Sequence, residues 1–406
     1  MSRALHRPGR RRARLRARRT RHASLAGFTL LELMVALVAG LVAITAIYYV
    51  GGASSQHFHE QQRISQTQMS VRMAMEQLRR DIARAGFFGT PNSRLEQRCW
   101  TPAFEIEAID FEDNPDAAVL PEAATNRVEA DRLRLVGNYA TGDAYFVNTL
   151  DNTGGAAFLQ REWQGFRRDF GIVGVDFDDE AFNDVFRPER MLHLQTLQGN
   201  HFFVGIQSAT GINAQVRFDR PIGVGGTCVG GLAGGALVAP LSMIEYRVVD
   251  PDVTPELAAI RSPAPEVVQQ ATGRQNAVLI RRELNPQTGA LIPGTTRVVL
   301  EYVANFDLGF VFDDEVRPGL RPNLVRRDDA AAEGQIDISP HHVRSVIVDL
   351  AARTAGEDER FPYVARGPNE ALTRYEVNPA VTGAARVRSL ETEIVLPNLA
   401  SRNLRP

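Results

Sequence analysis

A single carboxylate, Glu32, stands inside the apolar run Phe28–Val50, whose other interruptions are Thr29, Gly40 and Thr45. A charged group in such a segment is costly within a bilayer unless it reaches water or meets a counter-charge. Its chemistry is that of a pairing group, because a carboxylate and an ammonium relieve each other's desolvation at low dielectric. Other candidate groups carry less. Asp176-Phe177-Asp178-Asp179-Glu180 loosely resembles a calcium loop but lacks the turn glycine and the distal glutamate, so a solvated acidic loop is expected. His341 and His342 adjoin a strand, where neighbours face opposite sides. His57 and His59 are two apart on a helix and do not face each other. The glycine-rich stretch Gly223–Gly235 lacks the spacing and strand-to-helix setting of a phosphate loop. The chain contains no lysine, which removes Schiff-base chemistry and the phosphate-gripping lysine of a P-loop. It also lacks Gly-x-Ser-x-Gly, His-Glu-x-x-His and Cys-x-x-Cys. With 48 acids along the chain, no carboxylate pair stands out as catalytic. The expectation is a protein that is not an enzyme and has no metal site or cofactor.

The element that must position Glu32 is the apolar run itself. As a helix its 23 residues would span about 35 Å, against roughly 30 Å of bilayer hydrocarbon. Tyr48 and Tyr49 fall near its far end, where aromatic rings favour the interface. Residues 1–27 hold ten of the 46 basic residues and no acid. The remaining 36 face 48 acids, so residues 28–406 carry a net charge near -12 although the whole chain is at -2. An arginine-rich flank stays cytoplasmic, and an acidic body argues against nucleic-acid binding by the folded part. A secretory signal has a shorter apolar region followed by small residues, whereas Ala26 and Gly27 precede this one. A twin-arginine signal at Arg18-Arg19 would need an apolar pair where Thr20-Arg21-His22 stands. A plain single-pass anchor accounts for the hydrophobicity and the arginines. It leaves Glu32 unexplained.

Beyond Gly51-Gly52, which can soften a helix, the period continues. Ile64, Val71, Met75, Leu78, Ile82 and Ala85 lie on one stripe, with Arg63, Gln66, Arg72, Glu76, Arg79 and Arg80 on the other faces. No proline falls between Phe28 and Phe88, and Gly89-Thr90-Pro91 is a stop signal, so the helix is expected to run from Phe28 to about Gly86. After residue 90 alternation takes over. Expected strands are Arg132–Val136, Leu192–Leu197, His201–Ile206, Met243–Val249, Ala277–Leu284, Arg297–Val303, Asp307–Phe312, Val343–Ala351 and Arg386–Leu396.

The string Gly27-Phe28-Thr29-Leu30-Leu31-Glu32-Leu33-Met34-Val35-Ala36-Leu37 resembles the type IV prepilin processing motif at nearly every position. Met75-Glu76-Gln77-Leu78-Arg79-Arg80-Asp81-Ile82-Ala83-Arg84-Ala85-Gly86-Phe87-Phe88-Gly89 resembles the end of the spine helix in PilW-like minor pilins. A weaker resemblance to PilW-like and GspJ-like proteins runs from Met243 to Val248, through Val343–Arg353, to Glu393–Leu399. Residues 90–240 match no pattern. The resemblance implies cleavage by the prepilin peptidase between Gly27 and Phe28, N-methylation of Phe28, and subunit assembly through Glu32. Glycine before the cut suits a protease that needs an extended backbone. Glu32 would pair with the new amine of a neighbouring subunit and set the axial register. The leader is longer and more basic than many prepilin leaders.

The expected fold class is α+β: a long N-terminal pilin spine helix packed on a mainly antiparallel β-sheet domain with long loop insertions. The expected domains are a basic leader at 1–27, a spine helix at 28–89 with 28–50 transmembrane, and a periplasmic β-rich domain at 90–406. The expected function is that of a minor pilin priming or capping a type IV pilus. Its partners would be the prepilin peptidase, other minor and major pilins, the assembly platform and the inner membrane, with no nucleic acid directly implied. It would wait in the inner membrane as a single-pass protein and then reach the pilus at the cell surface. In an oxidising periplasm Cys99 and Cys228 could form one disulfide. Closing a loop of about 128 residues contributes up to roughly 5 kcal/mol in the chain-entropy account; two unpaired thiols are the alternative. Competing functions are a GspJ-like pseudopilin of type II secretion, a pilus-associated adhesin using residues 90–240, and an unprocessed membrane-anchored enzyme.

Overall fold

The computed structural model describes residues 28–97, 105–222, 232, 234–258, 276–314, 323–367 and 370–400. It is an α+β protein in which a long N-terminal helix precedes antiparallel sheets. The chain divides into two units, one ending at Glu60 and the other starting at Gln61.

Helix α1, Leu30–Ile82, is 53 residues long. In its first unit the side chains from Leu30 to Val50 are exposed apart from half-exposed Gly40, and among the described residues this is the helix long and apolar enough to cross a membrane or serve as a signal sequence. In the second unit its face is amphipathic. Val71, Ala74, Met75, Leu78 and Ile82 are buried, while Arg72, Glu76, Arg79 and Arg80 remain exposed, as 3.6-residue periodicity dictates. Burying Val71, Met75, Leu78 and Ile82 contributes about 1.5–3 kcal/mol of hydrophobic stabilisation each, and the Ala74 methyl less. The helix ends four residues before the expected Gly86. From Ala83 the chain continues in tight turns, with Gly86 at φ 72 and Phe88 at φ 50, and Asn398 Nδ2 donates to the free carbonyls of Ala83 and Ala85.

The first sheet has the order β1-β2-β8-β9-β10, with β1 at Ile109–Glu112, β2 at Arg132–Gly137, β8 at Leu237–Val249, β9 at Val278–Leu284 and β10 at Arg297–Leu300. The second has the order β12-β11-β13-β16-β14, with β15 also on β16. These are β11 at Val303–Asp313, β12 at Leu324–Asp328, β13 at Val343–Arg353, β14 at Asp358–Pro362, β15 at Arg374–Tyr375 and β16 at Gly383–Val395. Among the described residues every paired strand is antiparallel, and one isolated parallel bridge, Ala130–Phe306, links the two sheets. The α1 stripe, Leu133, Ile244 and Tyr246 of the first sheet, and Phe306, Phe310 and Val348 of the second belong to one core. Asp81 of α1 accepts from Tyr246 Oη and Arg281 Nε, both at 2.7 Å. Gly137 is required where β2 meets the helix end, since a Cβ there would lie 2.7 Å from the Arg84 carbonyl.

Between Gly137 and Leu237 the expected strands Leu192–Leu197 and His201–Ile206 are present as Met191–Gln195 and His201–Thr210, and three further strands stand where loop insertions were expected. Strands β3 (Tyr145–Leu150), β4 (Ala156–Leu159), β5 (Met191–Gln195), β6 (His201–Thr210) and β7 (Gln215–Phe218) pair in the cycle β8-β3-β4-β7-β6-β5-β8. The ladder closes on itself at Val238, which faces Tyr145 on one side and Leu194 on the other. This ring has a core of its own, filled by Tyr145 together with Phe166 and Phe170 from the helix Gln164–Phe170, Phe182 from the helix Asp179–Val185, and Phe186 at that helix's C-cap. One strand therefore serves two structures: β8 belongs to the ring up to Leu241 and to the first sheet from Ser242.

The expected strand Arg297–Val303 also divides. Tyr302 adopts φ 53 and breaks it into β10 and β11, which join different sheets.

Candidate functional site

At the start of α1, Phe28 and Thr29 lie outside the helix and Phe28 is 86% exposed. Thr29 N–H and Oγ1–H donate to Glu32 Oε2 at 3.0 and 3.1 Å, and Glu32 N–H donates back to Thr29 Oγ1 at 3.2 Å. This is a capping box, in which the side chains at the N-cap and third helical position satisfy each other's backbone amides. A carboxylate in the first turn also faces the positive end of the helix dipole. Glu32 therefore has a structural role within its own chain, and its oxygens face solvent at the helix end. Both Thr29 donors take the same oxygen, Oε2, so a carboxylate with two acceptor oxygens can hold its cap and still accept from an outside amine. Gly27 lies outside the described residues, as do Cys99 and Cys228 with their expected bridge.

The other sequence candidates fall to structural roles. Asp178 caps the helix Asp179–Val185 by accepting from Ala181 N at 2.9 Å, Asp176 accepts from Ile172 N at 2.7 Å, and Asp179 from Gly211 N at 3.0 Å. The acidic stretch is thus bound to backbone amides. His341 and His342 lie on a short 3-10 turn, Pro340–His342, ahead of β13, with ring centroids 4.3 Å apart. Burial first, then the neighbouring His342 ring and the Arg344 guanidinium, pushes His341 down to about 4. His57 sits 3.9 Å from Glu60 on an exposed turn of α1. Most of the glycine-rich stretch lies outside the described residues.

Three clusters escaped the sequence reading. Glu245 of β8, 1% exposed, is held between its cross-strand neighbours, accepting from Arg134 Nε at 3.0 Å and Arg282 Nε at 2.6 Å. His193 of the ring meets the Phe88 carbonyl at 2.6 Å and His201 Nδ1 at 2.8 Å, while His201 Nε2 lies 3.3 Å from Glu96. Because a carbonyl only accepts, His193 Nδ1 carries the hydrogen. The third cluster is acidic. Oxygens of Asp113, Glu129 and Asp131, and of Glu129, Asp307 and Asp329, lie within 4.8 Å of one another. Carboxylate oxygens so placed are the donors that hard cations prefer. Asp131, however, already accepts from Asn114 N at 2.9 Å and Leu308 N at 2.7 Å, and Asp113 receives the Ala330 amide at the start of the helix Asp329–Ile338. Burial pushes Asp131 up to about 8 and Glu129 up to about 7, with Asp307 raised to about 6 by burial and then by Asp349. Asp307, Asp349 and Glu391 stand directly opposite one another across β11, β13 and β16, a like-charge row that opposes pairing. These contacts were not legible because they join side chains of different strands and loops, 8 positions apart for His193 and His201 and 177 for Asp131 and Leu308.

No family model matches the chain, and no curated protein or solved structure matches it either.

Proposed function

We propose that this chain is a type IV prepilin of the minor, PilW-like kind, cut after Gly27 and assembled into a pilus through its N-terminal helix. One observation carries the reading: the run Phe28–Val50 bears a single acid, at Glu32, inside the long processing motif that begins at Gly27. The exposed apolar first unit of α1 and the amphipathic continuation over Val71–Ile82 are compatible with a spine helix whose second part belongs to a folded body. In this account the leader is removed by prepilin peptidase, Phe28 is N-methylated, and Glu32 pairs with a neighbour's amine during assembly. The body waits in the periplasm until the assembly platform extracts the subunit from the inner membrane. The size of the mature chain favours a priming or capping role over that of a repeated shaft subunit.

The test is intact-mass analysis of protein from the native host, where a mature species should begin at methylated Phe28. Glu32→Ala and Glu32→Val should leave cleavage largely intact and impair incorporation. A chain that retains its leader, or Glu32 variants that assemble normally, would refute the reading. A GspJ-like pseudopilin is separated by a deletion strain scored for surface pili and secreted enzymes side by side; loss of secretion alone favours it. The adhesin alternative is separated by deleting the ring: attachment lost with piliation spared would favour it.

A further inference from the structure

We infer that the outer edge of β16, from Arg388 to Val395, takes an extended basic segment of another protein as an added strand, whether or not this chain is a prepilin. An open sheet edge is a template for pairing, and folded proteins usually blunt theirs by shortness, bulges or proline. The other edges of these two sheets are blunted in that way. β1 and β10 have four residues each and β12 has five, while β10 and β14 carry register shifts and β14 ends at Pro362. β16 differs. It pairs with β13 residue for residue from Val387 to Val395 without a shift, and its other side is covered by β14 and β15 only over Gly383–Arg386. Hydrogen bonds at the two ends of the ladder decide which groups are left over: Leu396 N donates to the Arg344 carbonyl and Thr354 N to the Arg386 carbonyl, both at 2.9 Å. Even-numbered residues of β16 therefore bond to β13, because hydrogen-bonded pairs alternate along an antiparallel ladder. The amides and carbonyls of Ser389, Glu391, Glu393 and Val395 point the other way. Val387 N, donating to the Thr373 carbonyl at 3.1 Å, is the last of that series with a partner among the described residues.

Charge selects the occupant. Glu391 and Glu393 are exposed along that edge, and Asp349, opposite Glu391 on β13, is raised by burial first and then by Glu391. Arg326 lies 3.9 Å from Glu391 but is already held by Asp328 at 2.9 Å. A second copy of this chain fits poorly. The register that overlaps two such edges fully, Ser389 on Val395, would set Glu391 against Glu393 twice over, and like charges directly opposite are destabilising. A segment with arginine or lysine at every second position meets the two glutamates instead. Its intervening apolar residues would lie beside half-buried Leu390 and buried Ile394 on the other face. Main-chain hydrogen bonds give such a complex its affinity, and the alternate side chains its specificity.

The probe is the capped peptide Thr-Arg-Val-Arg-Val-Arg-Thr, with Thr-Glu-Val-Glu-Val-Glu-Thr as control, added to the full chain in detergent at neutral pH. Amide exchange is read residue by residue. At saturation the amides of Ser389, Glu391, Glu393 and Val395 should exchange about tenfold more slowly with the arginine peptide, and those of Leu390, Thr392 and Ile394, already bonded to β13, should not change. The glutamate peptide should have no effect. Glu391→Arg combined with Glu393→Arg should reverse that preference. Glu391→Gln, which keeps the Ser345–Glu393 hydrogen bond, should alone weaken the arginine peptide about threefold, the scale of one cross-strand ion pair. Protection of the four amides in the monomer without peptide would show that the chain covers its own edge. Protection that appears only on dimerisation would make a second copy the occupant. Either result overturns the inference, as would equal action by both peptides or no action by the arginine peptide at millimolar concentration.

Discussion

Replacing Glu129 with glutamine should stabilise the folded body at pH 8 and leave it nearly unchanged at pH 4. Glu129 Oε2 is buried without a hydrogen-bond partner, and burial first, then Asp307, Asp329 and Asp113, raise the carboxyl from 4.5 to about 7. The folded state therefore holds this proton more tightly than the unfolded chain. Below the unfolded value both states are protonated and the residue carries no penalty. As pH rises towards 7 the unfolded chain releases the proton first, and stability falls until the folded group also ionises. At about 1.4 kcal/mol per unit, the shift corresponds to roughly 3 kcal/mol. Glu129 is only half buried, so solvent screening reduces this to about 1–2 kcal/mol. Glutamine keeps the shape and stays neutral, so Glu129→Gln should recover that amount at pH 8. The assay is thermal unfolding of the full chain in detergent at pH 4, 6 and 8, where the variant's advantage should grow to a few degrees. An equal advantage at all three values would show that charge is not the cause. A loss at pH 8 would show that the carboxylate has a cationic partner, and would refute the reasoning outright.

Two further outcomes follow from the packing. Asp81→Ala removes the anion that joins α1 to Tyr246 and Arg281, leaving a largely buried guanidinium without its partner; a loss of about 3 kcal/mol is expected by denaturant unfolding, and a loss below 1 kcal/mol would show that Arg281 finds another acceptor. Gly137 and Ser242 are cross-strand partners, so replacing residues 138–241 with a two-residue Asn-Gly turn should close a hairpin and let the remaining body melt cooperatively. A body that fails to fold without the ring would show that the two cores are not separable.

The features legible in the sequence were those whose cause is local. The apolar run and the stripe Val71–Ile82 each lie within a few turns of one helix, and spacing alone places them together, whereas the cap between Thr29 and Glu32 was not read there. Strands such as β13 and β16 were readable for the same reason, since each is long enough to show alternation. The ring was not. Its strands β4 and β7 have four residues each, too few to display a period, and its core is filled by Phe166, Phe170, Phe182 and Phe186, which repeat at helical spacing between strands.

What the amino-acid order alone determined was the long N-terminal helix, its apolar first part and buried stripe, and most of the longer strands. The closure of β3–β8 into a ring, the sharing of β8 by two cores, and the gathering of Asp113, Glu129, Asp131, Asp307 and Asp329 were decided only by tertiary structure. The reason is one of range. A helix cap or stripe is fixed by bonds between residues three or four apart, whereas pairing Val238 with both Tyr145 and Leu194 requires chain segments far apart in sequence to bury their apolar faces at once.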